Sequence, residues 1–149
     1  MNFNTGSPAQ PPPAYPPQTL SLGFLRGKQE LFWIAGLSLV NSLLAQFGAN
    51  IRFPTGMGIT QASDAIFLKA FAEGGALAHG AALFFALLAA GVVCLFAWLT
   101  GRGSRTVFMM AIVLYGLDAL LCLAFQDWFS VAFHGWMLFK LIQAWRATG

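Results

Sequence analysis

Four polar side chains that could do chemistry interrupt the apolar stretches of this sequence. They are Gln46, His79, Asp118 and His134, and each lies in a different apolar stretch. Asp118 is the most conspicuous, since it stands in the middle of the almost wholly apolar residues Val113 to Phe125. A carboxylate beside a histidine can relay protons, and two histidines with a carboxylate resemble a metal ligand set in residue type. What these residues can do depends on whether the fold brings them together.

The composition predicts that lipid is part of the solvent. The chain has 149 residues, of which 58% are hydrophobic and 9% charged, whereas soluble domains usually carry about 25% charged residues. The net charge of +3 is small and dispersed, and no basic patch interleaved with aromatic residues suggests nucleic-acid binding. We therefore predict an integral membrane protein that contacts the lipid bilayer and binds no nucleic acid.

Four apolar stretches are long enough, or nearly so, to cross a bilayer. A helix needs about 20 residues to cross a hydrocarbon core of ~30 Å, and short connections imply antiparallel neighbours. The predicted fold class is therefore an all-α integral membrane protein, a four-span antiparallel helical bundle with a disordered Pro-rich N-terminal tail. The predicted transmembrane domain covers residues 29–149, with spans at 31–51, 75–99, 106–125 and 129–145.

An amphipathic segment is predicted ahead of the second span, at residues 62–74. Apolar Ile66 and Phe67 are interspersed there with charged Lys69 and Glu73. Such a segment is expected to lie at the membrane interface or to project from it, before the chain bends at Gly74 and Gly75.

The N-terminal residues 1–28 are predicted to form a disordered tail. All prolines but Pro54 lie there, and the segment lacks aliphatic periodicity. Pro12, Pro13 and Tyr15 fit the P-P-x-Y pattern that WW domains bind, and are a candidate tail-docking site. The alternative is a solvated tail without a partner.

Lysine and arginine positions predict the orientation. In a four-span threading, one side holds the N-terminal tail, the turn at 100–105 and the C-terminus. The basic residues of that side are Arg26, Lys28, Arg102, Arg105 and Arg146, and the other side has only Arg52 and Lys69. Because cytoplasmic loops carry an excess of Lys and Arg, both termini are predicted to be cytoplasmic.

Small residues recur at every fourth position of the second span. This predicted helix-packing seam consists of Gly74, Ala78, Ala82, Ala86 and Ala90. Close approach of helix backbones holds spans together in lipid, so the seam is expected to pack inside the bundle, or alternatively in a homodimer. The first span has a polar row that includes Ser38 and Ser42, which must also avoid lipid.

In this threading the four polar residues lie at similar depth in the outer half of the membrane. Asp118 is about 12 Å and His134 about 9 Å below the outer turn, where Asp127 is expected to cap the fourth helix. Gln46, His79, Asp118 and His134 are predicted to form a polar intramembrane cluster. It either fixes the register of the bundle or carries protons or a ligand.

The sequence contains no recognised metal-ligand spacing, so no metal site and no cofactor are predicted. Both Cys94 and Cys122 are interpreted as packing residues.

The sequence contains no nucleophile elbow, phosphate-binding loop or dinucleotide fingerprint, so we predict that it is not an enzyme. The predicted function is a small non-enzymatic membrane protein, an accessory or scaffold component that packs against itself or a larger assembly. One alternative is a small oligomeric transporter or proton-coupled carrier that uses Asp118. A third is an intramembrane site at His79, Asp118 and His134. A carrier needs a water path to Asp118, whereas a scaffold does not.

Overall fold

The computed structural model describes residues 20–46, 57–70 and 75–149. Every regular element in these three ranges is a helix, and no β-strand occurs among the described residues. In chain order the helices are α1 Leu22–Gln46, α2 Gly58–Ala70, α3 Ala76–Thr100, α4 Arg105–Ala124 and α5 Trp128–Arg146. The predicted all-α class is confirmed for these residues.

Two of the helices, α3 and α4, are long and apolar enough to cross a membrane. α1 and α5 are of similar length but carry more polar residues, such as Ser38 and Ser42 on α1 and His134 and Lys140 on α5. Membrane location is thus supported by two helices, and the four-span arrangement stays a proposal.

α1 begins at Leu22, so the predicted tail boundary at residue 28 is wrong. Residues 22–28 are helical, and two glycines there bring α1 into close contact with its neighbours. A Cβ atom on Gly23 would lie 2.5 Å from the carbonyl oxygen of Ala144, and one on Gly27 would overlap the ring of Phe108. Glycines four residues apart are a common device for such close helix contacts. The docking residues Pro12, Pro13 and Tyr15 lie outside the described residues.

One end of the bundle collects the start of α1, the turn after α3 and the C-terminus. Gly23 lies against the end of α5, and Gly101 against the side chain of Lys28. The Arg102 guanidinium stands 3.7 Å from the ring centre of Trp98, and that of Arg105 stands 4.6 Å from the ring centre of Trp145. This end is therefore both basic and aromatic.

α3 packs most extensively against α1. The alanines of the predicted seam, Ala78, Ala82, Ala86 and Ala90, are all buried, as are Ser38, Asn41 and Ser42 on α1. Short side chains on both helices let their backbones approach closely. Gly74, the first residue of the predicted seam, lies outside the described residues.

The amphipathic segment differs from its prediction in position. α2 begins at Gly58, four residues before the predicted start at 62. One face of it, with Met57, Thr60 and Ser63, is buried against the bundle, whereas Ile66 and Lys69 are exposed. The backbone N–H of Met57 donates to Ser38 Oγ at 2.7 Å. Ser38 lies about two turns before the end of α1, so the chain has returned into the bundle by the point where α2 starts.

Candidate functional site

The N-terminus of α2 is capped by side chains from two other helices. The first N–H groups of a helix have no intrahelical partner, and the thioether of Met57 is only a weak acceptor. Besides the Ser38 contact, the N–H of Gly58 donates to Asp118 Oδ2 at 2.7 Å and that of Ile59 to Oδ1 at 2.8 Å. The carboxylate also meets the positive end of the α2 dipole. This role accounts for a carboxylate in the middle of apolar α4.

Gly58 lets α2 start in direct contact with α4. A Cβ atom at this position would lie 2.6 Å from Cys122 Sγ and 3.1 Å from the carbonyl oxygen of Asp118. A larger residue would push the start of α2 away from α4 and lengthen both hydrogen bonds to the carboxylate.

His134, fully buried on α5, is the third partner of Asp118. Its Nε2 lies 2.9 Å from Asp118 Oδ2, and its Nδ1 lies 2.7 Å from the carbonyl oxygen of Ser130. The imidazole stacks on Tyr115, with 4.8 Å between ring centres. A carbonyl oxygen can only accept, so Nδ1 carries a hydrogen. In the neutral ring, Nε2 would then turn a lone pair towards a carboxylate oxygen. The Asp118–His134 contact therefore needs one proton, or another cation, between the two atoms.

Asp127 fixes the turn that precedes His134. Its carboxylate accepts from the N–H of Ser130 at 3.2 Å and from the Ser130 hydroxyl at 2.5 Å. The predicted N-cap of the fourth long helix is thus confirmed. Because Ser130 also accepts from His134, this cap helps to set the imidazole orientation.

Cys122 completes a group of three potential ligands. Its Sγ lies 4.0 Å from both ring nitrogens of His134. Ligand atoms of Asp118, Cys122 and His134 all lie within 4.8 Å of one another. Sequence reasoning missed Cys122 because it was taken as a packing residue. The available signal was its position four residues after Asp118, which puts both side chains on one face of α4.

The other two predicted cluster members form a pair of their own. His79 Nδ1 lies 2.5 Å from Gln46 Oε1, where the end of α1 meets the start of α3. This pair is exposed, whereas the Asp118–His134 pair is largely buried. The structure therefore groups the four predicted residues two by two, and it adds Cys122 and two backbone N–H groups around Asp118.

Two cavities reach this group of residues. One has a volume of about 520 Å³ and, apart from Tyr115 and Asp118, is lined by apolar side chains of α1, α3, α4 and the start of α2. The other has a volume of about 400 Å³ and is lined by Cys122 together with Gln61, Lys69 and Asp127, among others. Asp118 thus borders an apolar space, while Cys122 borders a more polar one.

Comparisons with protein-family models, with curated proteins and with solved structures give no match for this chain.

Proposed function

We propose that this chain is a small, non-enzymatic, four-span integral membrane protein that serves as an accessory or scaffold component of a membrane assembly. The observation that carries the proposal is the use of both Asp118 oxygens in hydrogen bonds to α2 and α5. A carboxylate that holds three segments together is a structural group. Transport through it would require breaking the contacts that fix α2.

The exposure pattern of the long helices supports four spans. Each of them turns large apolar side chains outward, and examples are Phe32 and Val40 on α1, Phe84 and Leu87 on α3, Leu117 and Leu120 on α4, and Phe129 and Phe139 on α5. Ser38, Ser42, Ser130 and His134 are instead fully buried. Polar groups inside and large apolar groups outside suit a bundle surrounded by lipid.

The basic end of the bundle supports the predicted orientation. Arg102 and Arg105 lie on tryptophan rings, and Lys28 lies 5.9 Å from the ring centre of Phe32. Tryptophan and basic residues together are typical of a membrane interface, and an excess of Lys and Arg marks the cytoplasmic side. We therefore propose that the start of α1 and the C-terminus face the cytoplasm.

The cavities favour a scaffold over a proton-coupled carrier. A carrier needs water at its titrating group from both sides in turn. The cavity at Cys122 offers a polar approach from the α2 side. The cavity that Asp118 itself lines is almost wholly apolar, so its walls offer few hydrogen-bond partners to a path of water molecules.

The exterior also offers places for a partner. Gly36, Gly80, Gly91 and Gly135 lie on the long helices, and a Cβ atom on any of them would have no contact within 4 Å. Notches of this kind on an apolar surface allow another membrane helix to approach closely. A second copy or another membrane protein would fit there.

Proton flux into liposomes distinguishes the scaffold from the carrier. Liposomes that contain the wild-type chain should acidify no faster than empty liposomes, and Asp118→Asn should not change that rate. A wild-type flux that disappears in a folded Asp118→Asn variant would overturn the proposal.

Cross-linking in native membranes tests the accessory role. It should capture a second copy of the chain or another membrane protein. A chain that is cross-linked to no partner would contradict this role.

A further inference from the structure

We propose that Asp118, Cys122 and His134 bind one divalent transition-metal ion of the Zn²⁺ class where α2, α4 and α5 meet. The three residues lie on two helices and supply a carboxylate oxygen, a thiolate sulfur and an imidazole nitrogen. This inference does not depend on the proposed accessory role, because a metal could bind here in a scaffold or in a carrier.

The distances suit a tetrahedral ion after small side-chain adjustments. Zn²⁺ bonds of about 2.0–2.3 Å put neighbouring tetrahedral ligand atoms roughly 3.3–3.7 Å apart. His134 Nε2 now lies 2.9 Å from Asp118 Oδ2 and 4.0 Å from Cys122 Sγ. The first separation must widen and the second must shorten, each by less than about 1 Å by that comparison. The third separation, between the Asp118 carboxylate and Cys122 Sγ, is at most 4.8 Å and must shorten as well. Both ligands on α4 are four residues apart and project from one face.

The surrounding hydrogen bonds already orient the ligands. Ser130 holds the Nδ1 hydrogen of His134, which leaves Nε2 as the coordinating nitrogen. The N–H groups of Gly58 and Ile59 fix the Asp118 carboxylate. Metal-bound histidine and carboxylate ligands are usually oriented by hydrogen bonds of this type to groups that do not contact the metal. Each can persist when an ion takes the position of the shared proton.

The charges balance in an apolar setting. A carboxylate and a thiolate together carry two negative charges, so with a neutral imidazole they neutralise a divalent ion. The occupied site then carries no net charge. That neutrality avoids the large cost of burying a net charge. The sulfur and nitrogen ligands select a borderline ion such as Zn²⁺ rather than Mg²⁺ or Ca²⁺.

An entry path and a fourth coordination position are also present. Cys122 lines the cavity of about 400 Å³ that also contacts Gln61 and Asp127. A water molecule in that cavity could serve as the fourth ligand. Gln61 and Asp127 in the lining of this cavity would let a hydrated ion approach the thiolate along α2.

Binding of Co²⁺ and Zn²⁺ to the full chain in nanodiscs tests the inference. Co²⁺ should bind at about one ion per chain and give the near-ultraviolet charge-transfer band of a thiolate ligand, and Zn²⁺ should displace it. Cys122→Ser should abolish the band and weaken Zn²⁺ binding at least about 10-fold. Cys94→Ser is the matched control, because Cys94 lies on α3 outside the group, and it should bind as the wild type does.

The opposite results would overturn the site. These are no stoichiometric binding by the wild-type chain, an unchanged band in Cys122→Ser, or a band that is lost in Cys94→Ser. Zn²⁺ should also raise the melting temperature of the wild type and of Cys94→Ser but not that of Cys122→Ser. A missing shift in the wild type would count against the site. None of these outcomes bears on the proton-flux result, so the two proposals can fail separately.

Discussion

At the scale of single residues, Asp118 is defined by what it accepts. Its two oxygens receive two backbone N–H groups and face one imidazole nitrogen. The pairing of Asp118 with His134 could be predicted from their shared depth in the membrane. The capping of α2 by Asp118 could not be predicted, because the pattern of side chains in a sequence does not indicate a hydrogen bond to a backbone N–H 60 residues away. Cys122 could have been found from its spacing to Asp118.

Replacing Asp118 should destabilise the fold, and the loss of stability should be larger for leucine than for asparagine. In either orientation, the side-chain NH2 of Asp118→Asn faces the backbone N–H of Gly58 or of Ile59, so one of these two hydrogen bonds is lost. We therefore expect a loss of about 1–3 kcal/mol. Asp118→Leu leaves every partner unpaired and should cost more, on the order of 3–5 kcal/mol. Thermal unfolding in detergent measures both, with Leu117→Ile, exposed on the neighbouring position, as the control. Equal stability of the two Asp118 variants and the wild type would mean that the carboxylate has no structural partner.

At the scale of elements, glycine and alanine decide where helices meet. The alanine row of α3 was readable because small residues at every fourth position indicate close packing in lipid. The start of α1 could not be predicted in the same way, because the preceding prolines made residues 22–28 resemble part of the tail. The spacing of Gly23 and Gly27 held the missing signal. The start of α2 stayed hidden because its caps come from α1 and α4 rather than from its own sequence.

Gly27→Ala tests the contact between α1 and α4. The added Cβ would overlap the ring of Phe108, which is fully buried and cannot move without disturbing the core. Overpacking of this kind typically costs about 1–3 kcal/mol. Gly36→Ala is the control, because a Cβ there meets nothing within 4 Å. It should leave the melting temperature unchanged or raise it. If both variants melt alike, α1 does not approach α4 through Gly27.

Ala86→Leu tests the seam between α3 and its neighbours. Ala86 is 0% exposed, so a leucine has no room and should destabilise the bundle by about 1–3 kcal/mol. Leu87→Ile, one position along and 52% exposed, should have little effect. The readout is thermal unfolding in the same detergent. An unaffected Ala86→Leu variant would indicate that this face of α3 points to lipid.

At the scale of the whole molecule, the bundle has a basic end and an end where α2 enters. The helical class could be predicted from the lengths of the apolar stretches, and the membrane environment predicted from composition is supported by two helices, α3 and α4. The two-by-two division of the four polar residues could not, because similar depth in a membrane does not specify which helices are neighbours. The burial of α2 likewise depends on packing between distant parts of the chain.

The orientation can be checked with thiol labelling in intact cells. In a chain that lacks its own cysteines, Gly149→Cys should resist a membrane-impermeant reagent until the cells are opened. Gln126→Cys, in the exposed turn between α4 and α5, should react at once. This result is expected because Lys and Arg favour the cytoplasmic side. The reverse labelling pattern would invert the proposed threading.

The capping of α2 by Asp118 is the central claim, and amide hydrogen exchange in nanodiscs tests it most directly. In the wild type, the amides of Met57, Gly58 and Ile59 should exchange slowly because side chains of α1 and α4 hold them. Asp118→Leu should speed exchange at Gly58 and Ile59, while amides in the middle of α3 stay protected. Fast exchange at these positions in the wild type, or no change in the variant, would contradict the claim.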